Sequence, residues 1–126
     1  MNHLKGYVSD VKQIAKHNSA FRRVLETGRF TQVVVMSIPP GGEVGEETHT
    51  DTDQVVYLVK GGGRVALDDI KHAFKKSDLV LVHAGVKHNF INTGEEDMKI
   101  ITMYSPPHHP DGTVHKTKGD AEKTEH

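Results

Sequence analysis

Two polar stretches carry the side chains best suited to chemistry. One is His49-Thr50-Asp51-Thr52-Asp53-Gln54; the other is Gly85-Val86-Lys87-His88-Asn89-Phe90-Ile91-Asn92. Imidazole nitrogen together with carboxylate or amide oxygen suits a divalent ion of the Mn, Fe, Ni or Zn kind. Histidine is abundant, at ten of 126 residues, and cysteine is absent, which excludes thiolate ligation, disulfides and a cysteine nucleophile. In an extended chain His49, Asp51 and Asp53 share one face, because side chains alternate with a period of two, and Gln54 falls on the other. A bend just before Gln54 would turn it inward, with Val56 and Leu58 following it into a core. His88, Phe90 and Asn92 share a face of a later strand. Only a sheet that folds back on itself can bring His88 to His49, so we expect the two stretches to meet inside a β-barrel and hold one divalent metal.

The elements that must position them are mostly strands. The chain has the length of one ordinary domain, and we read 1–126 as a single unit. Ser9 and Asp10 can cap a short helix over about 10–18, where Val11, Ile14 and Ala15 recur at helical spacing; we expect it on the outside of the sheet or against a partner. From Phe21 the pattern is β. Strands are expected over Phe21–Glu26, Gln32–Ile38, Gln54–Lys60, Arg64–Leu67, Ile70–Phe74, Leu79–His83, Lys87–Asn92 and Met98–Tyr104. Pro39-Pro40-Gly41-Gly42 ends one strand and opens a polar loop, Glu43 to Asp53. No helical crossovers separate the strands, so the fold class is all-β, a sandwich or barrel with its core over about 21–104. The tail, 105–126, contains Pro106, Pro107 and Pro110 and is then mostly polar; by composition it could be disordered.

Several function classes are excluded or disfavoured. The formal net charge is −1, with no basic face, so we expect no nucleic-acid partner. The start lacks the apolar segment of a signal peptide, and no run is long enough to span a bilayer, so we expect a soluble, cytoplasmic protein with no membrane partner. No serine lies in a nucleophile-elbow context, and Gly61-Gly62-Gly63 reads as a turn, since no helix follows to bind phosphate. Asn92 reads as structural. His3, His17, His72 and His126 read as surface residues and His83 as a substitution near the barrel rim; His108, His109 and His115 read as part of a polar tail, with a second site or acid–base groups as the alternative. Arg64, Tyr57 and Tyr104 could face a substrate.

The chain resembles the cupins, whose two motifs are G-x5-H-x-H-x3,4-E-x6-G and G-x5-P-x-G-x2-H-x3-N. For the second, Ser77 stands at the first Gly and His83 at the Pro, while Gly85, His88 and Asn92 match. For the first, His49 stands for the first His, Asp51 for the second, Gln54 for the Glu, and Gly61 follows; the interval from Asp51 to Gln54 is one residue short. The resemblance implies a double-stranded β-helix, or jelly-roll barrel, with both motifs lining its interior. It also implies His49, Asp51, Gln54 and His88 as metal ligands, with Asp53 or water in place of Asp51 as the alternative. Small single-domain cupins of this type share a segment like 104–118, and many are labelled mannose-6-phosphate isomerase-like. An ordered tail would then cover the barrel mouth or a partner subunit.

Three functions follow as expectations. The first is a metal-dependent enzyme acting on a small polar substrate, as a sugar-phosphate isomerase or a dioxygenase, with Asp53 or a tail histidine as candidate base. The second is a non-catalytic small-ligand-binding module. The third is a vestigial barrel acting through a homodimer interface, which would also protect exposed sheet edges.

Overall fold

The computed structural model describes residues 5–124. The surface readings of His3 and His126 lie outside these. Among the described residues, nine strands and two short helices alternate in the order α1 (Val11–His17), β1 (Arg22–Thr27), β2 (Gln32–Ile38), β3 (Asp53–Lys60), β4 (Gly63–Leu67), β5 (Ile70–Phe74), β6 (Leu79–Val82), β7 (His88–Ile91), β8 (Met98–Ser105), β9 (Val114–His115) and α2 (Lys118–Thr124). The strands form two antiparallel sheets. The larger has the order β6-β3-β8-β2-β1-β9 and the smaller β5-β4-β7, the arrangement of a jelly roll.

Cross-strand register sorts the inner face of the large sheet into rows. Gln54, Tyr104 and Gln32 lie side by side in one row, Val56, Thr102 and Val34 in the next, and Leu58, Ile100 and Met36 in a third. Because side chains alternate, the residues of these rows point inward together, and all nine are buried. The third row joins Phe74, Phe90, Ile38 and Met98 in the main apolar core. The outer face carries Val55, Tyr57, Val33, Val35, Ile101 and Met103 from the same strands. Helix α1, capped by the Asp10 carboxylate accepting from Gln13 N at 3.4 Å, lays Val11, Ile14 and Ala15 on part of that face.

Two regions carry more structure than their composition suggests. The stretch after Pro40 is more than a loop: Val44 N donates to Phe90 O, and Glu47 and His88 exchange both backbone hydrogen bonds at 2.9 Å, so this segment runs antiparallel to β7 along the small sheet. The tail is ordered over its described residues. Strand β9 pairs with β1, Arg22 opposite His115, and becomes the edge of the large sheet. The buried amide of Gln32 fastens the turn before it. Its Oε1 accepts from His108 N (3.2 Å) and His109 N (3.0 Å), and its Nε2 donates to His109 O (2.7 Å). Composition could not reveal this, because the buried partner for the polar tail lies on a strand some 80 residues earlier.

Gly61-Gly62-Gly63 turns from β3 into β4, and Gly63 is glycine for a reason of space. A side chain there would run into the carbonyl oxygen of Ile91.

Candidate metal centre

The smaller sheet's edge and the large sheet's first row meet at one end of the interior. Glu47 sits directly opposite His88, so their side chains emerge on the same side of the sheet. His49 lies two residues further on. A hydrogen bond from Gly85 N to His49 O (2.7 Å) ties the two stretches together, through a turn whose φ of +88° at Gly85 favours glycine. The chain then bends, and Gln54 enters β3 facing inward.

These elements gather Glu47, His49 and His88, each offering one ligand atom within 4.8 Å of the others. The His49 and His88 ring centroids are 5.2 Å apart. Glu47 Oε1 stands 3.5 Å from His49 Nε2, an ionic contact too long for a full hydrogen bond, and His49 Nε2 has no hydrogen-bond partner. His88 is 2 % exposed and its Nδ1 lies 2.9 Å from Val86 O. A carbonyl only accepts, so Nδ1 donates, and the neutral ring turns its Nε2 lone pair toward the interior, where it too lacks a partner. Gln54, 3 % exposed, donates through Nε2 to Thr102 Oγ1 (3.0 Å) and Tyr104 OH (3.3 Å), and its Oε1 is left without a partner. Three buried polar atoms from three segments, each lacking a hydrogen bond, are costly to maintain unless something binds them. The donor set of one carboxylate, two imidazoles and one amide oxygen suits a divalent transition ion.

The electrostatics favour the same protonation states. Burial pushes the Glu47 carboxyl up, but the contact with His49 and the charges of His49, Arg22 and His88 outweigh it and hold the group below its ordinary value. Burial, together with the neighbouring His49, lowers the His88 imidazole, against the Val86 carbonyl and Glu47, which raise it. At neutral pH the carboxylate is ionised and the imidazole neutral, the forms that bind metal.

The remaining site expectations fall out differently. Asp51 is exposed, takes a hydrogen bond from Thr52 Oγ1 at 3.2 Å, and lies outside the group. Asp53 is exposed, its carboxylate occupied by Ala84 N at 2.9 Å. Tyr104 faces the centre, whereas Tyr57 points to the outer face and Arg64 is exposed. His17, His72 and His83 are exposed. Asn92 closes a turn, donating to Ile38 O and Glu96 O and accepting from Gly94 N. Glu47 is the member of the group that the sequence reading did not single out. The first motif fits without a shortened interval when started at Gly41: Glu47 then takes the first His position, His49 the second, Gln54 the Glu and Gly61 the last Gly.

Tail histidines complete the surroundings. The exposed His108 places its ring 4.2 Å from that of His49 and stacks on Tyr104 at 5.5 Å. His109 is buried against Tyr104, ring centroids 5.1 Å apart, with Nε2 unpartnered. Burial, reinforced by the charge of Arg22, pushes its imidazole down to about 3.

The profile of the Cupin domain family matches residues 34–104, which span β2 to β8 and the whole donor group. The chain is a cupin. It is 38 % identical over 123 residues to the uncharacterized protein YrkC of Bacillus subtilis, an alignment covering 93 % of this cupin and 66 % of YrkC. It is 34 % identical over 113 residues to an uncharacterized protein of Acanthamoeba polyphaga mimivirus, covering 86 % and 70 % of the two chains. Among solved structures, BH2720 from Bacillus halodurans superposes with a TM-score of 0.94 at 35 % identity over 97 % of both chains. None of the described helices of this cupin is long and apolar enough to cross a membrane.

Proposed function

We propose that this cupin is an enzyme that binds a divalent transition ion through Glu47, His49, Gln54 and His88 and acts on a small polar substrate. Glu47 takes the place in the set that spacing alone gives to Asp51. The observation that carries the reading is the gathering of Glu47, His49 and His88, one ligand atom of each within 4.8 Å of the others, together with three buried polar atoms that lack partners, His49 Nε2, His88 Nε2 and Gln54 Oε1. The ion would polarise a carbonyl or hydroxyl oxygen of the substrate. Thr102 and Tyr104 hold the Gln54 amide so that its oxygen stays available, and the Val86 carbonyl does the same for His88 Nε2. His108, beside His49 at the exposed rim, is the side chain best placed to exchange a proton with a bound substrate. Isomerisation of a sugar phosphate and dioxygenation of a small keto compound are the two reaction classes to assay.

Elemental analysis of protein purified without an affinity tag tests the reading. Near-stoichiometric Mn, Fe, Ni or Zn is expected in the wild type and its loss in His88→Ala; retention of the metal in that variant removes the assignment. A non-catalytic ligand-binding barrel is favoured by one feature, Gln54, whose amide is an uncharged donor in place of a carboxylate. A filled metal site with no turnover in either assay would select it.

We further propose a homodimer. Beyond the cover of α1, the outer face leaves Leu79 62 % exposed beside Tyr57 and Leu81 exposed beside Val55, on the uncovered edge strand β6. A second copy of the same face is the partner such an apolar edge fits. Elution as a monomer at micromolar concentration in gel filtration would overturn it.

A further inference from the structure

One flank of the metal group is aliphatic. Register carries the row of His88 outward across the small sheet: His88 stands opposite Leu67, and Leu67 opposite Ile70. On the large sheet Gln54 stands opposite Val82, and Val56 opposite Val80. Cross-strand partners point to the same side of a sheet, so these aliphatic side chains face the interior together with the donor residues. Leu67 and Val80, with Val86 from the turn before His88, pack against the main core, which includes Val82. On the opposite flank the neighbours are polar: Glu47 lies across from His88, and Tyr104 lies between Gln54 and Gln32.

The aliphatic flank is also open. Strands β5 and β6 are free edges of the two sheets. At the end of β5 the inward Phe74 is 1 % exposed, as a core residue should be, whereas Ile70, on the same face at the start of the strand, is 63 % exposed. An inward residue reaches solvent only where the facing sheet does not cover it, so the interior opens along this edge, next to the Leu67–His88 pair. Leu67, Val80 and Val86 are half-buried there. Apolar surface left wet beside buried donor atoms is unfavourable, and an apolar group that covers it recovers the loss. Among the described residues, no carboxylate, lysine or arginine stands on the inward face of β4, β5 or β6.

We propose that this flank binds an aliphatic group of the ligand: the ligand of this cupin is a small molecule with a polar, metal-binding head and an apolar tail, and Leu67, Ile70, Val82 and Val86 select the tail. The proposal rests on the metal reading above and narrows it. The head meets Glu47, His49, Gln54 and His88, and the tail lies over Leu67 toward Ile70 and the β5–β6 edge. A sugar phosphate would press its hydroxyls against aliphatic walls, where they lose water and gain no hydrogen bonds. Of the two reaction classes to assay, a keto compound with an alkyl substituent fits this flank and a sugar phosphate does not.

Calorimetric titration of the metal-loaded full chain with alkyl hydroxamates tests this, because the hydroxamate head chelates a divalent ion whatever tail it carries. Affinity is expected to rise about fourfold per methylene from acetohydroxamate to hexanohydroxamate. Hexanohydroxamate should bind at least about tenfold more tightly than its isostere 5-hydroxypentanohydroxamate. Ile70→Ser and Leu67→Ala should each flatten the series while metal content and acetohydroxamate affinity stay unchanged. Where Leu67→Ala does not fold, Ile70→Ser, at an exposed position, carries the comparison. A flat series in wild type, equal binding of the hydroxylated tail, or a slope preserved in Ile70→Ser overturns the aliphatic site. Wild type that holds no metal and does not bind acetohydroxamate removes the metal reading instead. Hexan-1-ol, a tail with no chelating head, then reads the flank in the metal-free chain: it should shift the methyl resonances of Leu67 and Ile70, and unshifted methyls overturn the site.

Discussion

The interior of this cupin has two ends made from the same strands. Along β3 the inward residues run Gln54, Val56, Leu58; along β8, Tyr104, Thr102, Ile100; along β2, Gln32, Val34, Met36. Over the space of two rows the lining passes from polar to wholly apolar. At the apolar end, Leu58, Met36, Ile100, Phe74 and Phe90 pack together, and each fully buried side chain contributes about 1.5–3 kcal/mol. At the polar end, three atoms of the donor group and His109 Nε2 are buried without partners, an arrangement that costs stability. The contrast separates the part of the core that holds the fold from the part that the fold holds open for a ligand. Chemistry is concentrated where satisfaction of polar groups is incomplete.

The comparison can be broken most sharply at the apolar end. Leu58→Ala should cost about 2–5 kcal/mol of stability in chemical denaturation while the protein that remains folded keeps its metal content. Loss of metal from that folded fraction would show that the two ends are not separable. At the polar end, stripping the metal with a chelator should lower stability by about 2.7 kcal/mol when the free ion was present at a hundred times its dissociation constant. Thermal melts before and after stripping check this; identical curves would mean that the unpartnered atoms bind nothing.

Acid should act on the polar end. His109 is held neutral in the fold down to about 3, whereas an unfolded histidine takes up a proton near pH 6.5. The unfolded chain therefore binds more protons below about pH 6.5, and stability falls as the pH drops from there toward 3, by up to about 1.4 kcal/mol per unit. The lowered His88 and Glu47 act with the same sign, Glu47 only below its ordinary carboxylate range. Denaturation midpoints at pH 6.5 and 4.5 should converge in His109→Gln relative to wild type; an equal slope in both would exclude His109 as a source. The smallest effect is expected at Asp51. Exposed and outside the donor group, Asp51→Asn should change stability by less than about 0.5 kcal/mol and leave metal content intact, whereas Glu47→Gln should weaken metal binding by at least about tenfold.

Much of this was legible in residues 79–92. An apolar strand, a glycine turn and a histidine at fixed spacing place His88 on an inward strand face, and alternation alone gives its neighbours. The 41–54 stretch was legible only in part. Its polar residues look like a solvated loop, and the backbone exchange between Glu47 and His88, which brings the Glu47 side chain to the group, joins segments about 40 residues apart. The tail was the least legible, since a string of prolines, histidines and charges is equally consistent with disorder until the Gln32 amide is known to lie beneath it.

Local pattern in the chain thus determined the strands from β1 to β8, the shared face of His88 and Phe90, the presence of α1 and the candidacy of two distant imidazoles. Tertiary structure decided that Glu47 lies beside them, that His109 is buried against Tyr104, and that the tail joins the sheet. The physical reason is that alternation and turn chemistry act between near neighbours, whereas burial and pairing across strands depend on segments that only the folded sheet brings into contact.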